Sequence, residues 1–393
     1  MEASTHLWLE YLLRFAHLVA GIAWIGSSFY FIWLDGSFLP PETARKNVEG
    51  EVFMVHGGFY YQVEKRRIYP GELPKILHWF KWEATLTWIT GFSLLVFLYF
   101  LRGASLLVDP QVLAMTQAQA IGLCLLMITG SWLAYDLIWH PSFMKSKPLS
   151  TALSVVFFIG LIFGLTQVFS GRGAFITTGA IFGSMMLLNV WVRILPGQGK
   201  MLREAQAGRV PDYTVSAKSK TRSVHNTYFI FPVLFIMLSN HYPLVYNHPR
   251  NWLLLIVLSV SGALTRHAMV TKSPKERWTL VPAALGFLAL VFWTAVPADL
   301  APTGEGRVTY GTIRQIFDNR CLRCHSTHPT DEVYKTAPNG VIFETEEQIR
   351  SKAEKVHLQA ILAKTMPLAN KTGMTEAERS LVSRWLKQEG LVH

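Results

Sequence analysis

The chain has 393 residues, half of them hydrophobic, and only 16% are charged, against about 25% in an ordinary soluble domain. That shortfall argues against a soluble enzyme and for a chain that lives in a bilayer. The net charge of +11 does not mark a nucleic-acid binder, because the basic residues sit between apolar stretches, where membrane topology explains them. Three cysteines build no disulfide framework: Cys124 lies in an apolar run, and the other two fall in one short motif.

Eight apolar stretches each approach the roughly 20 residues that a span needs. They are Leu7–Leu34, Ile76–Leu101, Ala118–Trp139, Thr151–Phe169, Phe175–Leu195, His225–Leu244, Trp252–Ala268 and Leu280–Val296. The first is too long for a secretory signal and has no Lys or Arg before it. The sixth carries Pro232 and is bounded by His225 and His241, and the fifth is Gly-rich at its start. Connections after odd-numbered spans are rich in Lys and Arg, whereas those after spans two, four and six hold Arg102, Arg172 and Arg250. The positive-inside rule then puts both chain ends outside the cytoplasm. The expected location is a bacterial inner membrane, with the amino terminus and the carboxyl-terminal domain on the periplasmic side.

Between spans one and two, Val52–Val55 and Phe59–Val63 flank His56-Gly57-Gly58 and read as a hairpin. Gly197 to Ser223 reads as a basic surface loop or short amphipathic helix. Charged or protonatable groups within spans are functional candidates by default. His78, His140, His225 and His267 recur near the cytoplasmic ends of four spans, with Glu83, Asp136, Arg193, Asn226 and Arg266 at similar depth. His17 lies about ten residues into its span, roughly 15 Å deep at 1.5 Å per residue. A polar cavity lined by these groups would hold a small polar substrate, or a non-covalent b-type haem between two histidines. A site near the opposite surface, by Arg14, His241 or His248, competes with it. The bland reading, side chains resting in the headgroup zone, applies to each histidine taken singly.

After Ala298 to Gly306, a hinge-like linker with Pro302 and Gly304, comes Cys321-Leu322-Arg323-Cys324-His325. Two thiols one helical turn apart, followed at once by an imidazole, form the attachment signature of a c-type haem. No second C-x-x-C exists to complete a zinc site. His325 is the proximal ligand, and Met366, in Thr365-Met366-Pro367, is the sixth ligand, with Met374 as the fallback. Val308 to Arg320 predicts a helix running into the motif, and Thr375-Glu376-Ala377-Glu378 is a capping box opening another. The expected fold is all-α: an eight-helix membrane bundle over residues 1–297, a linker at 298–306, and a small class I-like cytochrome c domain over 307–393.

The whole chain resembles the bacterial membrane-bound urate oxidases, or urate hydroxylases, which carry an eight-span domain and a carboxyl-terminal cytochrome c. The resemblance rests on Phe15–Phe31 (FAHLVAGIAWIGSSFYF), His78–Phe92 (HWFKWEATLTWITGF), His225–Pro243 (HNTYFIFPVLFIMLSNHYP) and the CLRCH and TMP segments. It implies oxidation of urate to 5-hydroxyisourate without peroxide. The electrons would leave through the haem c to a soluble cytochrome c or a terminal oxidase. Arg and His with aromatic neighbours agree with a flat, anionic purine as ligand. On this reading His78, Glu83, Asp136, His140, His225, Arg266 and His267 are the candidate catalytic residues. Cys321, Cys324, His325, Met366 and, for a b-type haem, His17 are the candidate cofactor ligands. The competing function is a quinol-linked electron-transfer subunit with a fused cytochrome c. The oligomeric state is not legible.

Overall fold

A computed structural model of the chain describes residues 2–101, 105–140, 146–271, 273–295 and 306–392. The predicted linker, but for Gly306, lies outside the described residues. The chain is mostly helical and packs around two separate apolar cores, one drawn from residues before 295 and one from residues after 306.

The first unit opens with α1, Glu2–Ser37. The hairpin follows, β1 Val48–His56 paired antiparallel with β2 Phe59–Arg66. Gly57 and Gly58 both adopt positive φ, 62° and 80°, which a two-residue turn matching the strand twist demands and only glycine takes without strain. The strands run longer than the predicted pair, and Tyr213 ties the hairpin's exit to the bundle by donating to the Ile68 carbonyl at 2.9 Å. Next come α2 Trp82–Leu95, α3 Gln117–Ile138, α4 Lys147–Thr166 and α5 Gly171–Leu188. A π-turn over Asn189–Ile194 leads from α5 into α6, Leu195–Gln206, where a loop or short helix was predicted. The unit closes with α7 Tyr213–Ser239, α8 Pro243–Tyr246, α9 Asn251–Val270, a 3-10 turn over Pro274–Thr279, and α10 Leu280–Thr294.

Seven helices among the described residues are long and apolar enough to cross a membrane. The predicted sixth stretch lies on α7, which is not one of the seven: α7 starts twelve positions before His225, and that first half is polar and basic. Helix α5 is the bundle's axis, packed against α2, α3, α4 and α7, and its Thr177, Thr178, Ile181 and Met185 are fully buried. Gly179 lets α7 approach closely, because a Cβ there would stand 2.8 Å from Ile236. The outer faces of α1, α4 and α10 leave Ile22, Val156 and Phe292 more than 60% exposed. Apolar surface of that extent is out of place in water and natural against lipid.

The second unit comprises α11 Tyr310–Arg320, α12 Glu346–Arg350, α13 Ala353–Val356 and α14 Glu376–Gln388. Helices α11 and α14 pack together, burying Ile313, Phe317, Val382, Trp385 and Leu386. The predicted capping box opens α14: the Thr375 hydroxyl accepts from the Glu378 amide, and Glu378 reaches back to the Thr375 amide. Among the described residues, hydrogen bonds join the units at one end of the bundle. Asn247 donates to the Ala363 carbonyl at 2.6 Å, and the Ser105 and Tyr334 hydroxyls lie 3.2 Å apart.

Candidate functional site

In the second unit the end of α11 delivers Cys321, Cys324 and His325 to one side of its core. The main chain turns tightly there, with the His325 amide donating to the Cys321 carbonyl at 2.9 Å. The imidazole is held by Nδ1 against the Val341 carbonyl at 2.9 Å. That fixes the tautomer and leaves Nε2 as the free lone pair, the arrangement an axial ligand needs. Both thiols are free. Burial pushes Cys321 up to about 12 and Cys324 up to about 11, so neither is a thiolate near neutral pH. Neutral thiols in this place fit addition to a porphyrin's vinyl groups to form thioethers. Met374 is buried in the core while Met366 stands 36% exposed, which favours Met366 as the thioether offered to an iron. Its loop is clamped by Arg379, which donates to the Met366 carbonyl at 2.8 Å and to Ala360. The donor set of one imidazole, one thioether and two thiols fits a covalently held haem.

Beside the thiols lies Asp331, fully buried. Burial alone would raise its carboxyl. Lys371 at 2.7 Å and the amides of Val333 and Tyr334 instead hold it down to about 2.

In the bundle the predicted polar residues separate into distinct sites. The first surrounds Asp136 on α3. Its carboxylate accepts from Arg193 Nε at 2.8 Å and from Arg222 NH2 at 2.7 Å, so one acid faces two guanidiniums. One turn of network extends from it: the Tyr135 hydroxyl lies 2.7 Å from His225 Nδ1 and accepts from Asn189 at 3.1 Å, and Asn189 also reaches Asn226 at 2.9 Å. The Trp139 ring meets His225 edge-on, 4.1 Å between centroids. The π-turn at Asn189–Ile194 is what aims Asn189 and Arg193 into this network, and such bulges recur at functional sites.

The second site surrounds Arg266, near the end of α9. Only 1% of the residue is exposed. Its Nε and NH2 find no hydrogen-bond partner among the described residues, and its NH1 meets only the Met269 sulfur at 4.0 Å. The guanidinium lies over Phe29 of α1, 4.1 Å from the ring centroid, and Phe29 in turn contacts Phe231 of α7. A cation–π contact contributes ~2 kcal/mol when desolvated, and a helix carboxyl end about 0.3–1 kcal/mol. Desolvating an unpaired charge costs several kcal/mol per ion, so the site as built lacks an anion. Next to Arg266, His267 turns the other way. Its Nδ1 lies 2.6 Å from the Tyr228 hydroxyl and its Nε2 3.3 Å from Glu276.

The remaining predicted residues stand apart. His78 precedes α2 in an extended segment and is exposed, its ring against Phe80. It was expected inside the second span, but that helix starts only at Trp82. His140 caps the end of α3, half-buried. Glu83 begins α2 with one carboxylate oxygen buried and without a hydrogen-bond partner among the described residues. His17 packs against Gly91 of α2, with Nδ1 at 3.0 Å from the Thr87 carbonyl and 3.1 Å from the Thr90 hydroxyl. Near the other end, Arg14 pairs with Glu10 at 2.8 Å, and His248 accepts from the Arg250 amide at 3.0 Å. Tyr135, Asn189, Arg222, Tyr228, Glu276 and Phe29 went unread in the sequence. Only the π-turn could have pointed to Asn189, and it leaves no sequence signal.

The family model described as urate oxidase N-terminal matches residues 3–295, well over half of the chain. The protein belongs to the urate oxidase N-terminal family. Every bundle site above lies inside the family-matched segment, whereas Cys321, Cys324, His325 and Met366 lie beyond it. No curated protein and no solved structure matches the chain significantly.

Proposed function

We propose that this member of the urate oxidase N-terminal family oxidises urate to 5-hydroxyisourate from within a bacterial inner membrane. Water supplies the hydroxyl, two electrons and two protons are released, and no peroxide forms. Cys321, Cys324, His325 and Met366 would hold a haem c, which would supply the electron exit towards a soluble cytochrome c or a terminal oxidase. When bound, that haem supplies a one-electron acceptor. The observation that carries the reading is the seam between the units. Asn247 of the bundle grips the carbonyl of Ala363, three residues before Met366, so the electron-accepting unit sits directly on the unit that belongs to the urate oxidase family. The Met366 loop is clamped by Arg379 and the His325 ring by the Val341 carbonyl, so both side chains that would hold the haem are positioned by the protein itself.

The Lys- and Arg-rich connections are proposed to face the cytoplasm and the seam the periplasm, with α7 as the eighth crossing. That orientation supports haem attachment outside the cytoplasm. His17 stays the candidate ligand for a b-type haem, and no step is routed through one. The test is anaerobic addition of urate to the purified, haem-loaded protein. The c-type absorption band should appear at the amplitude dithionite gives. A protein reduced by dithionite but inert to urate would overturn the reading, and a pyridine haemochrome count gives the ratio of haem b to haem c.

A further inference from the structure

We infer that Arg266 is the charge that receives the anionic substrate, and that Tyr228, His267 and Glu276 form the relay that takes its proton to the basic end of the bundle. This assignment rests on the urate reading above. Two buried guanidiniums in the bundle make the contrast. Arg222 has Asp136 at 2.7 Å. Arg266, also buried, has two nitrogens without a partner among the described residues and an aromatic face beside it. A guanidinium offers its free edge as a fork of parallel N–H donors, which matches a flat anion presenting two adjacent acceptors in one plane. Urate, mono-anionic near neutral pH, presents such pairs where a ring nitrogen adjoins a carbonyl. Phe29 and Phe231 supply the apolar walls that make the charge strong by excluding water.

The relay lies on the same two helices. Tyr228 precedes Phe231 by one turn of α7, and His267 follows Arg266 on α9. The Tyr228 hydroxyl is 2.6 Å from His267 Nδ1, and His267 Nε2 is 3.3 Å from Glu276. Glu276 is 52% exposed at its side chain and accepts from the Thr271 hydroxyl, so the line runs from a half-buried phenol to water. In the transfer a substrate N–H gives its proton to the Tyr228 oxygen. The Tyr228 proton passes to His267 Nδ1, and the Nε2 proton passes to Glu276. Only N–H and O–H bonds break and form, and the charge reaches a carboxylate that exchanges with solvent.

The test uses the full-length, haem-loaded protein with urate-driven haem reduction as readout. Arg266→Gln should raise the urate KM at least thirty-fold, with the dithionite-reduced spectrum unchanged. Arg266→Lys, which keeps the charge without the fork, should fall between it and the wild type, and it serves if the glutamine variant does not fold. Tyr228→Phe should leave urate affinity within two-fold, lower the reduction rate at least ten-fold and abolish its solvent deuterium isotope effect. Unchanged KM in both Arg266 variants, or an unchanged rate in Tyr228→Phe, overturns the assignment while a responding wild type leaves the urate reading standing. A wild type that does not respond to urate overturns the reading itself.

Discussion

The bundle holds two buried arginine sites built on opposite principles. At Asp136 one carboxylate serves both Arg193 and Arg222, so each guanidinium has a resident acid against it. At Arg266 the charge stands over a benzene ring with no acid against it among the described residues. Buried ions are tolerated when their partners are resident, so the first site reads as architecture, tying α3 to the π-turn and α7. The second is incomplete without something that comes and goes. The pairing of a charge, more than its burial, separates a structural site from a binding one.

The comparison breaks most visibly at Asp136. Asp136→Ala would strand the Arg222 guanidinium in the interior, at a cost of about 3–5 kcal/mol. A strongly lowered melting temperature in detergent is expected, and an unchanged one would show that the acid is not what holds those helices. Arg266→Met should do the reverse. Replacing an unpaired buried charge by an apolar side chain of similar length should leave the bundle as stable or firmer by roughly 1–4 kcal/mol, while urate-driven haem reduction is lost. A destabilised Arg266→Met protein in the same melting assay would make the two sites alike and remove the distinction.

The second unit gives a smaller version of the paired case. The folded carboxyl of Asp331 sits at about 2, below the unfolded value of about 3.9. Its contribution is complete above pH 4 and is lost as pH falls through about 2. At about 1.4 kcal/mol per unit, the loss is on the order of 2 kcal/mol. Acid titration followed by circular dichroism should show it, and Lys371→Ala should flatten that part of the curve. The smallest effect belongs to the cap of α14. Thr375→Ala should cost about 1 kcal/mol and leave the c-type spectrum intact, a calibration for the larger losses.

How much was legible follows from how local each feature is. The capping box at Thr375 and the Gly57-Gly58 turn are read within a few residues, and the haem proposal for Cys321, Cys324 and His325 is equally local, because covalent attachment would need them within one turn. The apolar runs were legible because a bilayer imposes length and composition on each helix separately. What the tertiary structure alone decided is which polar groups meet. His78, His140, His225 and His267 share a level in the sequence reading, yet packing leaves His78 outside, gives His225 to Tyr135 and gives His267 to Tyr228. Each residue turns a helix by about 100°, so neighbours such as Arg266 and His267 face different partners, and depth alone cannot say which. Phe29 reaches Arg266 from the far end of the chain only because α1 and α7 both pack on α9. That choice is made by side-chain fit between helices distant in sequence, and it leaves no periodic trace in any one of them.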